Sequence, residues 1–328
     1  MSRRAQHLSI ALAALPPVAA TANVATQTMQ EDRGARDEFS VLDMLLAGGA
    51  GGTIGSEVVK ALSATGARFR VAFKSQDKAE HARRSGLDAA LIDFADPKSL
   101  GPALRGIERL FLLGTGALDQ TEKEIAAVDA AKAAGVAHVV KLSVWGAETE
   151  GFSFAKIHRP VERHLQASGL TWTLLRPNGF MQNVVNYYAT TIKSQNAFYL
   201  PSRGARISHV DARDVAAVAA TALTKPGFEA RVLTLSGPEA LTYTEIARKL
   251  SVALDREITY VDVPDEAFKQ GAIAAGIPAY YVDALIDLIH FYSSHEAGTI
   301  TPDVQSVTGK PPISFGSFAN DYKAALSA

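Results

Sequence analysis

The sequence predicts an α/β fold: a doubly wound parallel sheet followed by a smaller, mostly helical C-terminal lobe. Three observations predict it. The apolar run Met44-Leu45-Leu46-Ala47 leads into a glycine-rich turn and then a helical stripe. Apolar strands then alternate with helical segments as far as Ser143. Past Arg176-Pro177 the regular alternation gives way to a series of helices.

Taken in order, residues 44–47 read as a buried strand. Gly48, Gly49, Gly51, Gly52 and Gly55 follow, and Val58, Val59 and Leu62 share one face of the next helix. Strand, glycine turn and helix together suit the phosphates of a dinucleotide. Glycines let the backbone approach a pyrophosphate, and the free N–H groups of the helix start favour the anion. The spacing Gly49-x-x-Gly52-x-x-Gly55 carries the signal; a flexible loop before an Ala-rich helix is the plainer alternative. A second strand is expected over 69–73, a helix over 76–85 and a third strand within 87–94. Asp96-Pro97 opens the next helix, since proline suits the first helical position. Residues 109–113 form an apolar strand ending in Gly114, and 120–134 a long helix closed by Gly135. Residues 138–143 are the fifth strand. Five strands alternating with helices imply a Rossmann-like parallel sheet with right-handed crossovers. Ligands of such sheets lie beyond the carboxyl ends of the strands. That singles out residues 49–55, Lys74, Asp93, Phe94, Gly114 and Ser143.

A helix over 154–167 and a sixth strand over 171–175 come next. Helices are then expected over 181–193, 211–223, 243–254, 265–274, 279–292 and 315–326, with short strands at 231–235 and 258–261. Residues 41–178 thus form the cofactor domain, its sheet completed by later segments. Residues 179–328 form the smaller lobe over the carboxyl edge of the sheet, where the substrate is expected.

Residues 1–40 differ. Arg3-Arg4 precede an apolar Ala/Leu stretch broken by Pro16-Pro17, and Ala20-Thr21-Ala22 fits a small-x-small cleavage pattern. This extension resembles an export signal, or else translation begins at Met29 or Met44. In either case it is expected to lie outside the fold and to be poorly ordered. A cytoplasmic location is expected for a nicotinamide enzyme, with export as the alternative. The 328 residues are 47% hydrophobic, enough for one large or two unequal domains. A net charge of -1 with no basic stripe argues against nucleic acid as a partner. Without any cysteine, disulfides, thiolate nucleophiles and Cys metal sites are excluded. No apolar run reaches the ~18 residues of a membrane span. A monomer or homodimer is expected.

The end of the second strand bears on cofactor choice. Asp or Glu there recognises the ribose 2′-hydroxyl of NAD. Lys74-Ser75 occupies the place here, and a cation suits a 2′-phosphate, so NADP(H) is preferred over NAD(H). An ordinary surface lysine is the alternative. Asp93 and Phe94 stand where a carboxylate and a ring can meet the adenine; a helix-capping Asp and a core Phe are the alternative.

The run Gly48-Gly49-Ala50-Gly51-Gly52-Thr53-Ile54-Gly55 resembles the TGATGxxG motif of atypical short-chain dehydrogenase/reductases. Residues 170–183, LTWTLLRPNGFMQN, resemble the SGLxxTxLRPxxFMxN signature of their NmrA-like branch. Ala134-Gly135-Val136, Lys141-Leu142-Ser143 and Gly309-Lys310-Pro311 add to the resemblance, which covers residues 43–326. Gly48 and Gly51 replace both threonines of the glycine motif, keeping the turn but removing hydroxyl contacts. The resemblance implies NAD(P) binding and, in many members, reduction of quinones, dyes or related acceptors; other members are redox-sensing regulators. Carried over residue by residue, it implies cofactor contacts at Gly49, Gly52, Thr53, Ile54, Gly55, Lys74, Asp93, Phe94 and Lys141.

The usual reductase triad is Ser with Tyr-x-x-x-Lys. Ser143 stands at the serine place, while Phe154 and His158 occupy those of the tyrosine and lysine. Phe154 has no proton to give, so His158, with an ordinary pKa near ~6.5, is the remaining proton carrier. A packing or capping histidine is the alternative. His164 falls on another face of the helix, and no HExxH motif exists, so no metal site is expected. Phe180, Tyr187 and Tyr188 wall an apolar acceptor pocket or else pack in the core. The sequence thus favours an NADP(H)-dependent reductase of a quinone-like small molecule, with a non-catalytic, cofactor-sensing regulator as the alternative.

Overall fold

A computed structural model describes residues 44–47, 50, 52–114 and 117–327. The expectations for residues 1–40 lie outside the described residues. The first part of the chain runs β1 (Met44–Ala47), α1 (Thr53–Ser63), β2 (Phe69–Phe73), α2 (Gln76–Arg84), β3 (Asp88–Leu91), α3 (Pro97–Leu104), β4 (Arg109–Leu112), α4 (Gln120–Ala133) and β5 (His138–Leu142). A short 3-10 turn, Ala147–Thr149, precedes α5 (Ser153–Ala167) and β6 (Thr171–Pro177). The rest runs α6 (Asn183–Gln195), β7 (Ala197–Leu200), α7 (Ala212–Thr224), β8 (Arg231–Leu235), α8 (Tyr243–Leu254), β9 (Thr259–Asp262), α9 (Asp265–Ala274), α10 (Ala279–Ser294), α11 (Asp303–Thr308), α12 (Phe315–Asp321) and α13 (Lys323–Leu326).

Among the described residues the main sheet has seven strands in the order β3-β2-β1-β4-β5-β6-β8. Every pairing is parallel. The strand order reverses between β1 and β4, which is where a doubly wound sheet opens a crevice at its carboxyl edge. Alternate residues of each strand feed opposite layers, because side chains of a strand alternate in direction. Val71, Phe111, Val140 and Leu175 pack with Val58 and Leu62 of α1, Ala79 of α2 and Val215 of α7. Ala72, Leu110, Leu112, Val139 and Leu174 pack with Leu100 of α3, Val128 of α4 and Leu165 of α5. Both faces are therefore covered, which is why the central strands read as unbroken apolar runs.

The later chain is shared between sheet and lobe. β8 extends the sheet beside β6, and α7 and α11 lie on the α1 face. The lobe core gathers Ile192, Phe198, Leu200, Ile246, Leu250, Phe315 and Phe318. A second, two-stranded parallel sheet joins β7 to β9 there. Residues 197–200 carry no strand in the sequence reading: four residues between Asn196 in the left-handed region and Pro201 are too short to show alternation. The single helix expected over 315–326 is broken at Tyr322. Gly316, Asn320 and Asp321 are weak helix formers, and Asp321 is drawn to Arg213 of α7 at 2.7 Å.

Candidate active site

The crevice floor is built by residues that leave space. α1 begins after Gly52, an extended N-cap residue that offers no side-chain hydrogen bond, and its first turn holds no acid. Its leading N–H groups are thus open to an anion, which the helix end favours. Ile54 and Gly55 are buried in the same turn, and Thr53 is exposed. Gly49 lies outside the described residues. Gly114 follows β4, where a Cβ would stand 2.2 Å from Nε2 of the buried Gln120. A side chain there would have to displace Gln120.

Lys74 follows β2 and is largely exposed; its Nζ lies 3.1 Å from Oδ2 of Asp93, beyond the end of β3. The Ala95 N–H donates to Asp93 Oδ1 at 3.0 Å. That bond first, and Lys74 second, hold the Asp93 carboxyl below the usual carboxylate range. Phe94 is half-buried against the α3–α4 face of the sheet. The open helix end, the close approach at Gly114 and the cation beyond β2 fit a dinucleotide phosphate site.

Two buried ionic networks lie at the end of β5. In one, Lys141 is fully buried and bonds Glu124 of α4 at 2.9 Å, the Leu142 carbonyl oxygen at 2.7 Å and Nδ1 of His158 on α5 at 3.2 Å. The resemblance implies a direct cofactor contact for Lys141. The structure instead buries it fully, with Nδ1 of His158 among its partners. Burial first, then the Lys141 charge, hold the His158 pKa well below 6.5. Both effects favour the neutral ring, where the sequence reading assigns His158 its ordinary value.

In the other network, Ser143 Oγ donates to Glu162 Oε1 at 2.6 Å. Glu162 accepts both Nε and Nη2 of Arg176, at 2.9 and 2.6 Å, and Nη1 of Arg159 at 2.8 Å. Arg176 also reaches Glu148 of the 3-10 turn. The Ser143 proton is thus engaged by a buried carboxylate. Phe154 packs its ring edge against Tyr281 of α10, centroids 5.5 Å apart.

The adjoining pocket holds about 1170 Å³ of empty space, its open mouth included, lined among others by Tyr187, Tyr188, His209, Tyr243, Phe268 and Tyr292. α6 is the wall between pocket and crevice: Asn186 Nδ2 reaches Thr53 Oγ1 at 3.4 Å, and the Tyr187 hydroxyl lies 3.4 Å from that of Tyr281. Tyr187 and Tyr188 line the pocket, whereas Phe180 packs with the α1–α7 face of the sheet. His209 is buried, with Nε2 3.4 Å from the Tyr243 hydroxyl. Burial lowers its pKa to about 4 and pushes the Tyr243 and Tyr292 phenols up.

Sequence reasoning missed Glu124, Glu162, His209, Tyr243 and Tyr292. The first had a readable signal: Gln120, Glu124, Ala127 and Ala131 share the buried stripe of α4, and Lys141 interrupts an apolar strand. Two opposite charges at core positions call for each other. The pocket residues come from segments 209–292 with no common spacing, so no local pattern announces them.

Comparison with known proteins agrees with this geometry. The NmrA-like family matches residues 43–311. NAD(P)H azoreductase of Xenophilus azovorans is 36% identical over 288 residues, spanning 87% of this chain and 100% of that protein. Quinone oxidoreductase 2 of Escherichia coli (strain K12) is 28% identical over 249 residues, 74% of this chain and 86% of that one. The crystal structure of NADPH-dependent quinone oxidoreductase QOR2 from Escherichia coli, complexed with NADPH, shares the fold. Its TM-score is 0.78 at 24% identity, covering 85% of this chain and 99% of that one. The chain belongs to the NmrA-like family.

Proposed function

We propose that the protein is an NAD(P)H-dependent oxidoreductase that reduces a planar, quinone-like acceptor. The observation that carries this reading is the junction at α6. One side of that helix touches the open N-terminus of α1 through Asn186 and Thr53, and the other lines the aromatic pocket with Tyr187 and Tyr188. A phosphate site and an apolar, aromatic-lined pocket thus share one wall. The names of the azoreductase and quinone oxidoreductase relatives support the same reading.

Residues 41–178, completed by later strands, serve the cofactor, and the lobe of residues 179–328 serves the acceptor. Gly49, Gly52, Thr53, Ile54, Gly55 and Gly114 admit the pyrophosphate to the backbone. Asp93 and Phe94 flank the adenine, and Lys74 favours NADP(H) through the 2′-phosphate. When bound, the nicotinamide supplies the hydride. His158 offers its Nε2–H toward the reduced acceptor, while Ser143 holds the floor of the site through Glu162. Such a reductase works in the cytoplasm, where reduced nicotinamide is kept.

Steady-state NADPH oxidation across a panel of quinones, azo compounds and dyes tests the reading, beside a binding titration with NADPH and NADH. Turnover with at least one planar acceptor is expected. Tight NADPH binding with no oxidation of any acceptor would replace it with the sensing role, which the engaged Ser143 and the proton-free Phe154 favour.

A further inference from the structure

Lys141 determines which nitrogen of His158 carries the proton. An ammonium has three donors and no lone pair, so it can only donate. Lys141 gives its protons to Glu124, the Leu142 carbonyl oxygen and Nδ1 of His158. Nδ1 is therefore the accepting nitrogen, and the neutral ring holds its proton on Nε2. That nitrogen makes no hydrogen bond to the described residues, and the His158 side chain is half-buried, not fully closed off. His158 is thus a neutral donor with a buried ammonium behind it. It lies one helical turn after Phe154, where the missing tyrosine would have supplied a proton.

We propose that Glu124, Lys141 and His158 form a proton relay, with Lys141 the positioning residue and proton source and His158 the catalytic residue that meets the acceptor. The relay rests on the reductase reading above. After hydride addition the acceptor oxygen holds an electron pair as an oxyanion. The Nε2–H bond of His158 breaks as the O–H bond forms. One Nζ–H bond of Lys141 breaks as the Nδ1–H bond forms. His158 stays neutral with its tautomer reversed, and Lys141 is left as an amine beside Glu124. Once the product leaves, water protonates Nε2 and the Nδ1 proton returns to Lys141. One solvent proton is consumed in the cycle, and both hydride electrons remain with the acceptor.

Of the charged and titratable groups on the elements around His158, only Lys141 touches its ring among the described residues, with Glu124 behind it. β5 supplies Lys141, α4 supplies Glu124, and α10 supplies Asp287 and Tyr281, the first bonded to Ser153 and the second packed on Phe154. Glu148 of the 3-10 turn is paired with Arg176, and on α5 itself Glu162 and Arg159 belong to that second network. Lys141 is the charge that bears on His158.

The test uses the full chain with NADPH and a quinone. It reads 15N resonances of His158 together with kcat and KM from about pH 6 to 9. In the native protein the Nε2–H tautomer persists and kcat is flat across the range. In the paired variant Glu124→Leu/Lys141→Met the ion pair is removed whole, a change that folded proteins often tolerate. Burial, the larger cause, remains, so the His158 pKa should rise only in part; kcat, now dependent on the protonated ring, should fall about tenfold per pH unit across the range, with KM for NADPH unchanged. A purely structural pair would lower kcat equally at every pH. His158→Gln keeps a donor that cannot pass a proton on, and should lower kcat ~10–100-fold with a flat profile. A native His158 that titrates in this range, a paired variant with the native profile, or full turnover in His158→Gln would each overturn the relay. If the paired variant does not fold, the native resonances and His158→Gln decide. NADPH binding without turnover of any acceptor would instead overturn the reductase reading, and the relay with it.

Discussion

In the proposed preference for NADP(H), Lys74 is the carrier, and its partner sets how strong that preference would be. Asp93 lies 3.1 Å away and shares the cation that a 2′-phosphate would need. A carboxylate there also repels the phosphate, so the two residues act in opposite directions. Lys74→Asp should weaken NADPH binding by about 1 kcal/mol, the low end for a charge-assisted bond because the site is exposed, with NADH little changed. Asp93→Asn should tighten NADPH relative to NADH, by a factor of order 2–5 on the same scale. Calorimetric titration of both variants with both cofactors measures this; equal changes for the two cofactors would move the phosphate site away from Lys74. At this scale the sequence shows what a strand end or a glycine spacing shows, as with the positions of Lys74 and Gly114 after their strands. It hides pairings between elements. Ser143 stands at the expected strand end, yet the partner that engages its proton is Glu162, nineteen residues on and buried on the next helix.

Helix α7 shows how burial can oppose a helix terminus. Asp214 sits in its first turn, where the dipole favours a negative charge. Burial nevertheless raises its pKa to about 6, with the Asp211 charge adding to the rise and the Ile313 and Arg213 contacts opposing it. A carboxyl that stays protonated longer in the folded state than in the unfolded chain favours folding at low pH, and that stability is lost as pH rises from about 4 to about 6. Asp214→Asn keeps the carbonyl that accepts the Ile313 N–H, bonded at 2.8 Å in the native protein. It should stabilise the protein by roughly 1–3 kcal/mol at pH 8 and change little near pH 4. Thermal melting at the two values checks this, and an equal effect at both would exclude Asp214 as the titrating group. Elements themselves were the most legible level. Those with a strong period or a cap, such as α8 with its Thr242–Glu245 capping box, were readable end to end. β7 and the break at Tyr322 were not, because tertiary contacts decide them.

The whole molecule closes late. α1 packs with α7, and β6, paired with β5 on one side, finds its neighbour on the other side only in β8, so residues as far as Leu235 complete the sheet. The alternation of strands and helices made the sheet readable, but a partner for β6 across more than fifty residues has no local trace. A fragment of residues 41–178 should therefore lack a cooperative melt, with α1 deprived of its α7 neighbour and one edge of β6 unpaired. Circular dichroism and light scattering of that fragment measure it, and a soluble, cooperatively melting fragment would refute it. The late strand also matters during synthesis. The ribosome must release the chain well past Leu235 before the sheet is complete, so half-made chains present an open sheet edge to the cell. Chaperone capture of stalled chains should accordingly fall off sharply once β8 emerges from the exit tunnel, and a slow codon placed before that point would do more harm than the same codon placed after it.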